Sequence, residues 1–132
     1  MTGAEVEEYL AAIAVKTGGG FPQFNDVAMN VYCDAEPNAK SSEIVEIVTL
    51  GGRSFYLEDD YTFSLIDFSA AGGDDYPVIN QHKKYIDTQL TDAAVFREYF
   101  VENPELSAAD FAPVEGQLNF YRNGALVKNC AQ

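Results

Sequence analysis

Apolar residues recur at helical spacing near the start of the chain. Over residues 3–16 they fall on one face of a helix, whereas the charged residues lie largely elsewhere. Thr2 and Glu5 have the spacing of a capping box, in which each side chain satisfies a backbone N–H at the start of a helix. The pattern therefore predicts an amphipathic helix that ends at the glycines of residues 18–20. Its apolar face is formed by Val6, Tyr9, Leu10, Ile13 and Ala14.

The middle of the chain has the pattern of β-strands. Residues 43–50 are rich in β-branched side chains and apolar on both faces, which predicts a strand inside a sheet. Gly51 and Gly52 then favour a tight hairpin, with residues 53–57 as the returning strand. Residues 61–68 alternate until the phase slips at Leu65 and Ile66, which predicts a β-bulge there. Together these segments predict an antiparallel meander.

Two segments leave strand and helix open. Within residues 21–33, Val27, Met29 and Val31 alternate as in a strand, but the surrounding pattern is ambiguous. Residues 77–89 fit either structure. The intervening residues 34–42 and the acidic residues 70–76 are predicted to be loops from their composition.

A second helix and a hairpin are predicted in the C-terminal part. Residues 91–103 begin with a capping Thr91 and carry an apolar face. A short helical turn is predicted at residues 107–110. Asn123 and Gly124 form a strong two-residue turn signal between strands over residues 117–121 and 125–129. The predicted fold is a single α+β domain over residues 1–132, with an antiparallel meander, an N-terminal helix, a second helix near residues 91–103 and a C-terminal β-hairpin.

Acidic residues dominate the charge of the chain. Its 132 residues include 21 Asp and Glu against 8 Lys and Arg, a formal net charge of −13. Binding to phosphate backbones or anionic lipid needs clustered basic side chains, and only Lys83 and Lys84 are adjacent. No run of 18 apolar residues occurs, so no membrane span is expected. The charge thus argues against direct binding to nucleic acid or membranes.

The two cysteines, Cys33 and Cys130, lie far apart and match no metal-binding spacing. The first residues are acidic where a secretory signal would be basic. We therefore expect two buried thiols and a cytoplasmic location, since disulfides form mainly in exported proteins.

No residue is assigned a catalytic, cofactor-binding or metal-binding role from sequence. His82, the one histidine, lies in a polar stretch and is expected at the surface, although a pair with Cys33 or Cys130 stays open. Acids at residues 58–60, at Asp67 and at residues 74–75 have carboxylates suited to calcium but lack the spacing of a known loop. The glycines at residues 18–20 and 72–73 lack the basic residue of a phosphate-binding loop and are expected to form turns.

The distribution of acids suggests one further class of function. Residues 34–75 hold ten Asp and Glu against Lys40 and Arg53. Gathered on one face, these acids would imitate the phosphates of DNA and block a nucleic-acid-binding protein. An acidic DNA-mimic inhibitor is therefore one alternative. A small ligand-binding domain or enzyme is another.

The aromatic content favours protein contacts. Eight Tyr and nine Phe accompany no Trp, and Tyr is enriched at protein interfaces. The tyrosines near predicted turns or sheet edges are Tyr32, Tyr56, Tyr61, Tyr76 and Tyr121. The main expectation is therefore a non-enzymatic structural protein that assembles with copies of itself or with sibling subunits, as in the head, neck or tail of a phage virion.

Overall fold

Helix α1 opens the structure, a computed structural model that describes residues 1–112 and 114–131. It spans Gly3–Ala14. The Thr2 hydroxyl accepts a hydrogen bond from the Glu5 amide at 3.4 Å, and the Glu5 carboxylate accepts one from the Thr2 amide at 2.7 Å. The predicted helix and its capping box are confirmed. The helix ends at Ala14 rather than at residue 16, and Gly18–Gly20 forms a separate 3-10 turn.

Five strands form one mixed sheet in the order β3-β2-β1-β4-β5. Neighbouring strands are antiparallel except β1 and β4, which are parallel. The strands are β1 (Val27–Tyr32), β2 (Val45–Leu50), β3 (Arg53–Ser54), β4 (Leu118–Arg122) and β5 (Ala125–Val127). The segment left open over residues 21–33 thus contains a strand, and residues 77–89 contain turns with neither helix nor strand.

The helices are few and mostly short. Besides α1 they are α2 (Ser41–Ile44), α3 (Asp67–Ala70) and α4 (Asp92–Glu102). Single 3-10 turns occur at Gly73–Asp75 and Ala108–Phe111. The second of these carries the predicted cap, with Asp110 accepting from the Ser107 amide at 2.7 Å. The predicted α+β class is confirmed.

The hydrophobic core joins α1 to one face of the sheet. Alternate residues of β1 are buried, as their pattern predicts, and the predicted apolar face of α1 is buried throughout. The core residues are Val6, Tyr9, Leu10, Ala11, Ile13, Ala14, Val27, Met29, Val31, Val45, Ile47, Tyr61 and Phe120. Burial of this apolar surface is the main source of stability for such a fold.

Both predicted hairpin turns are confirmed. Gly51 and Gly52 have φ of 60° and 72°, and Asn123 and Gly124 have φ of 50° and 75°. Positive φ at both central residues is what a two-residue hairpin requires. The strand after the first turn is shorter than predicted, because β3 contains only Arg53–Ser54.

The predicted third strand of the meander is wrong. Residues 61–66 form no sheet ladder, although Tyr61 is buried and the side chains of Phe63 and Leu65 pack against the core. The alternation is therefore real, but it reflects packing of an extended segment and not strand pairing. The β-bulge predicted at Leu65 and Ile66 is also wrong, since α3 begins directly afterwards.

The start of α1 explains why this segment does not join the sheet. The carbonyl of Leu57 accepts from the Ala4 amide at 2.9 Å, and that of Asp59 accepts from the Gly3 amide at 2.7 Å. A helix leaves its first amides without partners inside the helix. The chain before Tyr61 supplies two of those partners, and Tyr61 itself exchanges backbone hydrogen bonds with Met1, so these groups pair with the start of the chain and not with the sheet.

The two cysteines are joined, which corrects the expectation of free thiols. Cys33 and Cys130 form a disulfide across 97 residues of sequence, with Cα atoms 5.1 Å apart. The parallel pairing of β1 with β4 brings the end of β1 beside the C-terminal segment. That pairing is non-local, so the spacing of the cysteines along the chain could not reveal it.

Helix α4 has the predicted position, but its predicted apolar face is not buried. The Thr91 hydroxyl accepts from the Ala94 amide at 3.2 Å, which confirms the cap. Every residue of α4 is nevertheless exposed. Within the described part of the chain, no helix has the length and apolarity needed to cross a membrane.

Candidate functional site

A cleft of about 480 Å³ opens beside α1. One wall comes from the core-facing side of α1, another from residues 21–25, and the third from the segment that runs from Phe63 to Tyr76. This third wall contains α3 and the turn after it. The cleft thus lies where the extended segment of residues 61–66 leaves the core and the chain changes direction.

Phe68 is an exposed aromatic ring at this cleft. It lies on α3 and is 55% exposed. The ring rests against the backbone at Gly73, where an added Cβ would overlap three of its carbon atoms. Glycine at this position therefore allows the ring to lie on the main chain, while more than half of its surface faces solvent. Such a ring offers an apolar platform to a planar ligand.

The turn that supports Phe68 has an unusual backbone. Gly72 has φ of 95°, and Asp74 and Asp75 have φ of 54° and 58°. Consecutive non-glycine residues in the left-handed region are uncommon, and such geometry occurs often at functional sites. The Ala70 carbonyl accepts from the amides of Ile79 and Asn80 at 2.9 and 3.0 Å, which ties the chain after the turn back to α3.

Two tyrosines complete the cleft wall. Tyr76 donates from its hydroxyl to the Gly20 carbonyl at 3.1 Å, and burial, with a smaller contribution from Asp74, raises its pKa. Burial raises the pKa of Tyr9 to about 12. The buried Tyr9 hydroxyl has no hydrogen-bond partner within residues 1–112 and 114–131. Both tyrosine hydroxyls are therefore neutral hydrogen-bond donors at physiological pH, and the Tyr9 hydroxyl donates to no atom of the described residues.

His82 is more buried than expected. Its side chain is 19% exposed, and Nε2 lies 3.4 Å from Oε1 of Glu5. Nδ1 accepts from the Lys84 amide at 3.1 Å, which leaves Nε2 as the ring nitrogen that faces Glu5. Hydrogen bonds from Thr2, with a smaller contribution from His82, lower the pKa of Glu5 to about 2. Because Cys33 and Cys130 are joined to each other, the cysteine–histidine pairs left open by the sequence do not exist.

The acidic segments do not converge on one place. Residues 58–60 lie at the start of α1. There Asp60 pairs with Lys84 at 2.7 Å, and this hydrogen bond lowers the pKa of Asp60. Asp74 lines the cleft. Among the described residues, no group of three or more His, Cys, Asp or Glu could hold a metal ion.

The tyrosines predicted to mediate contacts occupy different environments. Tyr61 is buried, and Tyr56 is exposed. Tyr32 and Tyr121 stack with their centroids 5.8 Å apart. The Tyr32 hydroxyl also donates to Glu46 at 3.0 Å, and this hydrogen bond raises the pKa of Tyr32. The tyrosines predicted to mediate contacts therefore do not form a single surface.

Comparison with known proteins connects the chain to nucleotidases. No family model matches it. It is 35% identical over 115 residues to a protein of Vibrio vulnificus named 5'-nucleotidase, and 36% identical over 115 residues to a protein of that name in Vibrio cholerae. Protein UshA of Escherichia coli is 29% identical over 115 residues. Each match covers 86% of this chain but only 19% of the relative, so the chain spans about a fifth of their length.

These matches overturn the main expectation from sequence. Proteins named 5'-nucleotidase match most of the chain, and none of these three relatives is named as a phage head, neck or tail protein. The prediction of a non-enzymatic virion subunit is therefore wrong. The alternative of a ligand-binding domain or enzyme fits the matches better than a structural subunit does.

Sequence reasoning missed Phe68 and Gly73 as functional candidates. The sequence predicts an acidic loop over residues 70–76 and an apolar strand position at Phe68. A signal was present, because two glycines directly precede paired acids and follow an aromatic residue. What the sequence could not show is that the ring lies on the glycine with its other side in solvent.

Proposed function

We propose that this chain is the nucleoside-recognition part of a 5'-nucleotidase-like hydrolase. The relatives' names supply the class of substrate, a nucleotide. The observation that carries the proposal is the Phe68 ring, which rests on Gly73 and is 55% exposed at the cleft. A nucleobase stacks on this ring.

Stacking on an aromatic side chain is a common way to bind a base, because every nucleobase has a π-face. The cleft beside Phe68 offers apolar walls from α1 and from residues 21–25. Asp74 lies on the same wall and its carboxylate accepts hydrogen bonds only, which suits sugar hydroxyls. The base and sugar, rather than the phosphate, are therefore the parts that this chain binds.

The hydrolytic step is assigned to another region. The matched part is 19% of the relatives' length, so most of such a protein lies outside it. In this proposal the chain holds the nucleoside, and groups from the larger part act on the phosphate. The DNA-mimic alternative gains no support from these matches, because the two relatives are named as nucleotidases.

We also propose an oxidising compartment in place of the cytoplasm. The Cys33–Cys130 disulfide supports this location, since such bonds persist mainly outside the reducing cytosol. The predicted assembly with copies of the chain stays a prediction.

Calorimetric titration of the 132-residue chain with adenosine tests the proposal. Phe68→Ala should weaken adenosine binding about 5- to 150-fold, since a base stacked on an aromatic ring contributes roughly 1–3 kcal/mol. Phe68→Tyr should preserve affinity because the ring remains. Ribose 5-phosphate, which has no base, should bind far more weakly than adenosine.

Phe111→Ala provides a matched control, because Phe111 is 57% exposed and does not line the cleft. It should leave adenosine affinity unchanged. Failure of the wild-type chain to bind adenosine at millimolar concentration would contradict the proposal. So would equal affinities of Phe68→Ala and wild type.

A further inference from the structure

Helix α4 is an amphipathic helix without a partner in the described structure. None of its residues is buried. Its apolar side chains Val95, Phe96, Tyr99 and Phe100 share one face at i, i+1, i+4 and i+5 spacing. We call these four residues the α4 face. Phe96 and Phe100 are 62% and 58% exposed.

Such a helix is poorly stable by itself. It has 11 residues, whereas isolated helices shorter than about 12–15 residues are marginal in water. The cap at Thr91 is local and satisfies one backbone amide of the first turn. Helices of this length owe most of their stability to packing of an apolar face. The α4 face therefore needs a surface to pack against.

The apolar character continues on both sides of the helix. Ile86 and Leu90 precede it and are exposed, and Phe111 and Val114 follow it and are exposed as well. Large exposed apolar patches in soluble proteins mark interaction surfaces. The described residues on both sides of α4 thus add several exposed large apolar side chains to those of the helix.

The charge of α4 and of the whole chain distinguishes between the classes of partner that could cover the α4 face. Helices that lie on anionic membranes carry basic side chains on the polar face, whereas α4 has Asp92, Glu98 and Glu102 against Arg97. A second copy of the chain would bring another net charge of −13. Repulsion between such copies opposes association. Both membranes and self-association are therefore disfavoured.

The relatives identify a third class of occupant. In them the matched region is 19% of the protein, so four-fifths of the polypeptide lies outside it. A segment of the same molecule reaches a face at millimolar effective concentration through a short linker. Docking within one longer protein therefore meets less opposition than docking of a separate molecule.

We propose that the α4 face is covered by polypeptide from the part of a 5'-nucleotidase-like protein that lies outside these 132 residues. Val95, Phe96, Tyr99 and Phe100 are the buried side of this contact. The proposal rests on the relationship to nucleotidases stated under the proposed function, but it does not depend on nucleoside binding at Phe68.

Hydrogen exchange followed by mass spectrometry tests the contact. In the free chain, peptides over residues 92–102 should exchange within tenfold of an unfolded peptide, because the helix is not packed. The second sample is the Vibrio vulnificus 5'-nucleotidase with its matched 115 residues replaced by those of this chain. There the same peptides should exchange at least 100-fold more slowly.

Two variants of the replaced protein test the residues. Phe96→Asp should abolish the slow exchange of residues 92–102, while Glu98→Gln, on the same helix but outside the α4 face, should keep it. Adenosine binding, measured separately with Phe68→Ala, reports on the proposed function alone. Failure of the wild-type chain to bind adenosine, or equal affinities of Phe68→Ala and wild type, with α4 still protected in the replaced protein, would therefore refute the proposed function and not this contact.

Several results would overturn the contact. Strong protection of α4 in the free monomeric chain would show that the helix needs no partner. Protection that rises with the concentration of the free chain would identify a second copy as the occupant, and protection by phosphatidylglycerol vesicles would identify a membrane. Equal exchange in the free chain and in the replaced protein would also refute the proposal, and the first measurement stands even if the replaced protein fails to fold.

Discussion

Substitution of Gly73 by alanine tests how the Phe68 platform is built. Gly73 does not have a positive φ, so its backbone accepts alanine without strain. The added methyl group would overlap the Phe68 ring, with the Cδ1 atom 2.5 Å from the new Cβ. Any loss of stability therefore comes from the contact with this ring.

The expected magnitude follows from two opposing effects. A tolerated Gly→Ala substitution stabilises a protein by about 0.4–1 kcal/mol, because it restricts the unfolded chain. Overpacking costs roughly 1–3 kcal/mol, and Phe68 is exposed enough to swing away at the lower end of that range. Gly73→Ala should therefore lower the free energy of unfolding by about 0–1 kcal/mol, a net change too small to interpret alone.

A double-mutant cycle isolates the contact. In a Phe68→Ala background the ring is gone, so Gly73→Ala should raise the free energy of unfolding by about 0.4–1 kcal/mol. The coupling energy from urea denaturation of the four proteins is the sum of these two changes and should be about 0.4–2 kcal/mol. Gly19→Ala is the control, because no atom lies within 4 Å of its Cβ position and its φ is not positive. A coupling energy of zero would refute the packing of Phe68 on Gly73, and with it the platform.

Two further predictions concern the Cys33–Cys130 disulfide and the capping residue Glu5. Replacing Cys33 and Cys130 by serine should lower the free energy of unfolding by about 2–5 kcal/mol, since the bond closes a loop across 97 residues. Dithiothreitol should cause the same loss of stability in the wild type and none in the variant. A variant as stable as the oxidised wild type would contradict this prediction. Glu5 has a pKa of about 2 when folded against 4.5 when unfolded, so its contribution to stability is present above about pH 5 and is lost as the pH falls towards 2. Urea denaturation between pH 2 and pH 6 should accordingly show a weaker pH dependence for Glu5→Gln than for wild type, and identical slopes would argue against the capping interaction.

Local features of the fold were accessible from the sequence. The capping box at Thr2 and Glu5, the helix cap at Thr91 and the turn at Asn123 and Gly124 each depend on side chains within a few residues. Such features follow from short-range geometry, which a single sequence displays. The alternation around Tyr61 was also genuine, but the partner of that segment was the start of α1, far away in the sequence.

Features that depend on distant pairing could not be predicted. The parallel contact of β1 with β4 has no local signature, and the Cys33–Cys130 bond depends on it. The candidate site has the same origin, because Phe68 becomes a platform only where the chain folds back onto Gly73 beside α1. Periodicity shows that Phe68 is apolar but not that it is exposed. The sequence therefore indicated the class of fold but not the candidate site.

The acidity of the chain bears on how a nucleotide would bind. A net charge of −13 opposes the approach of a phosphate, and Asp74 and Asp75 lie in the turn beside Phe68. Under the proposed function, the neutral base and sugar are thus the parts of a nucleotide that this surface holds. Binding energy from a part of the substrate remote from the reacting bond serves to position that bond. Under the proposed function, the acidic chain fixes the nucleoside so that its phosphate is directed away from this surface, towards groups that neutralise it elsewhere in the longer protein.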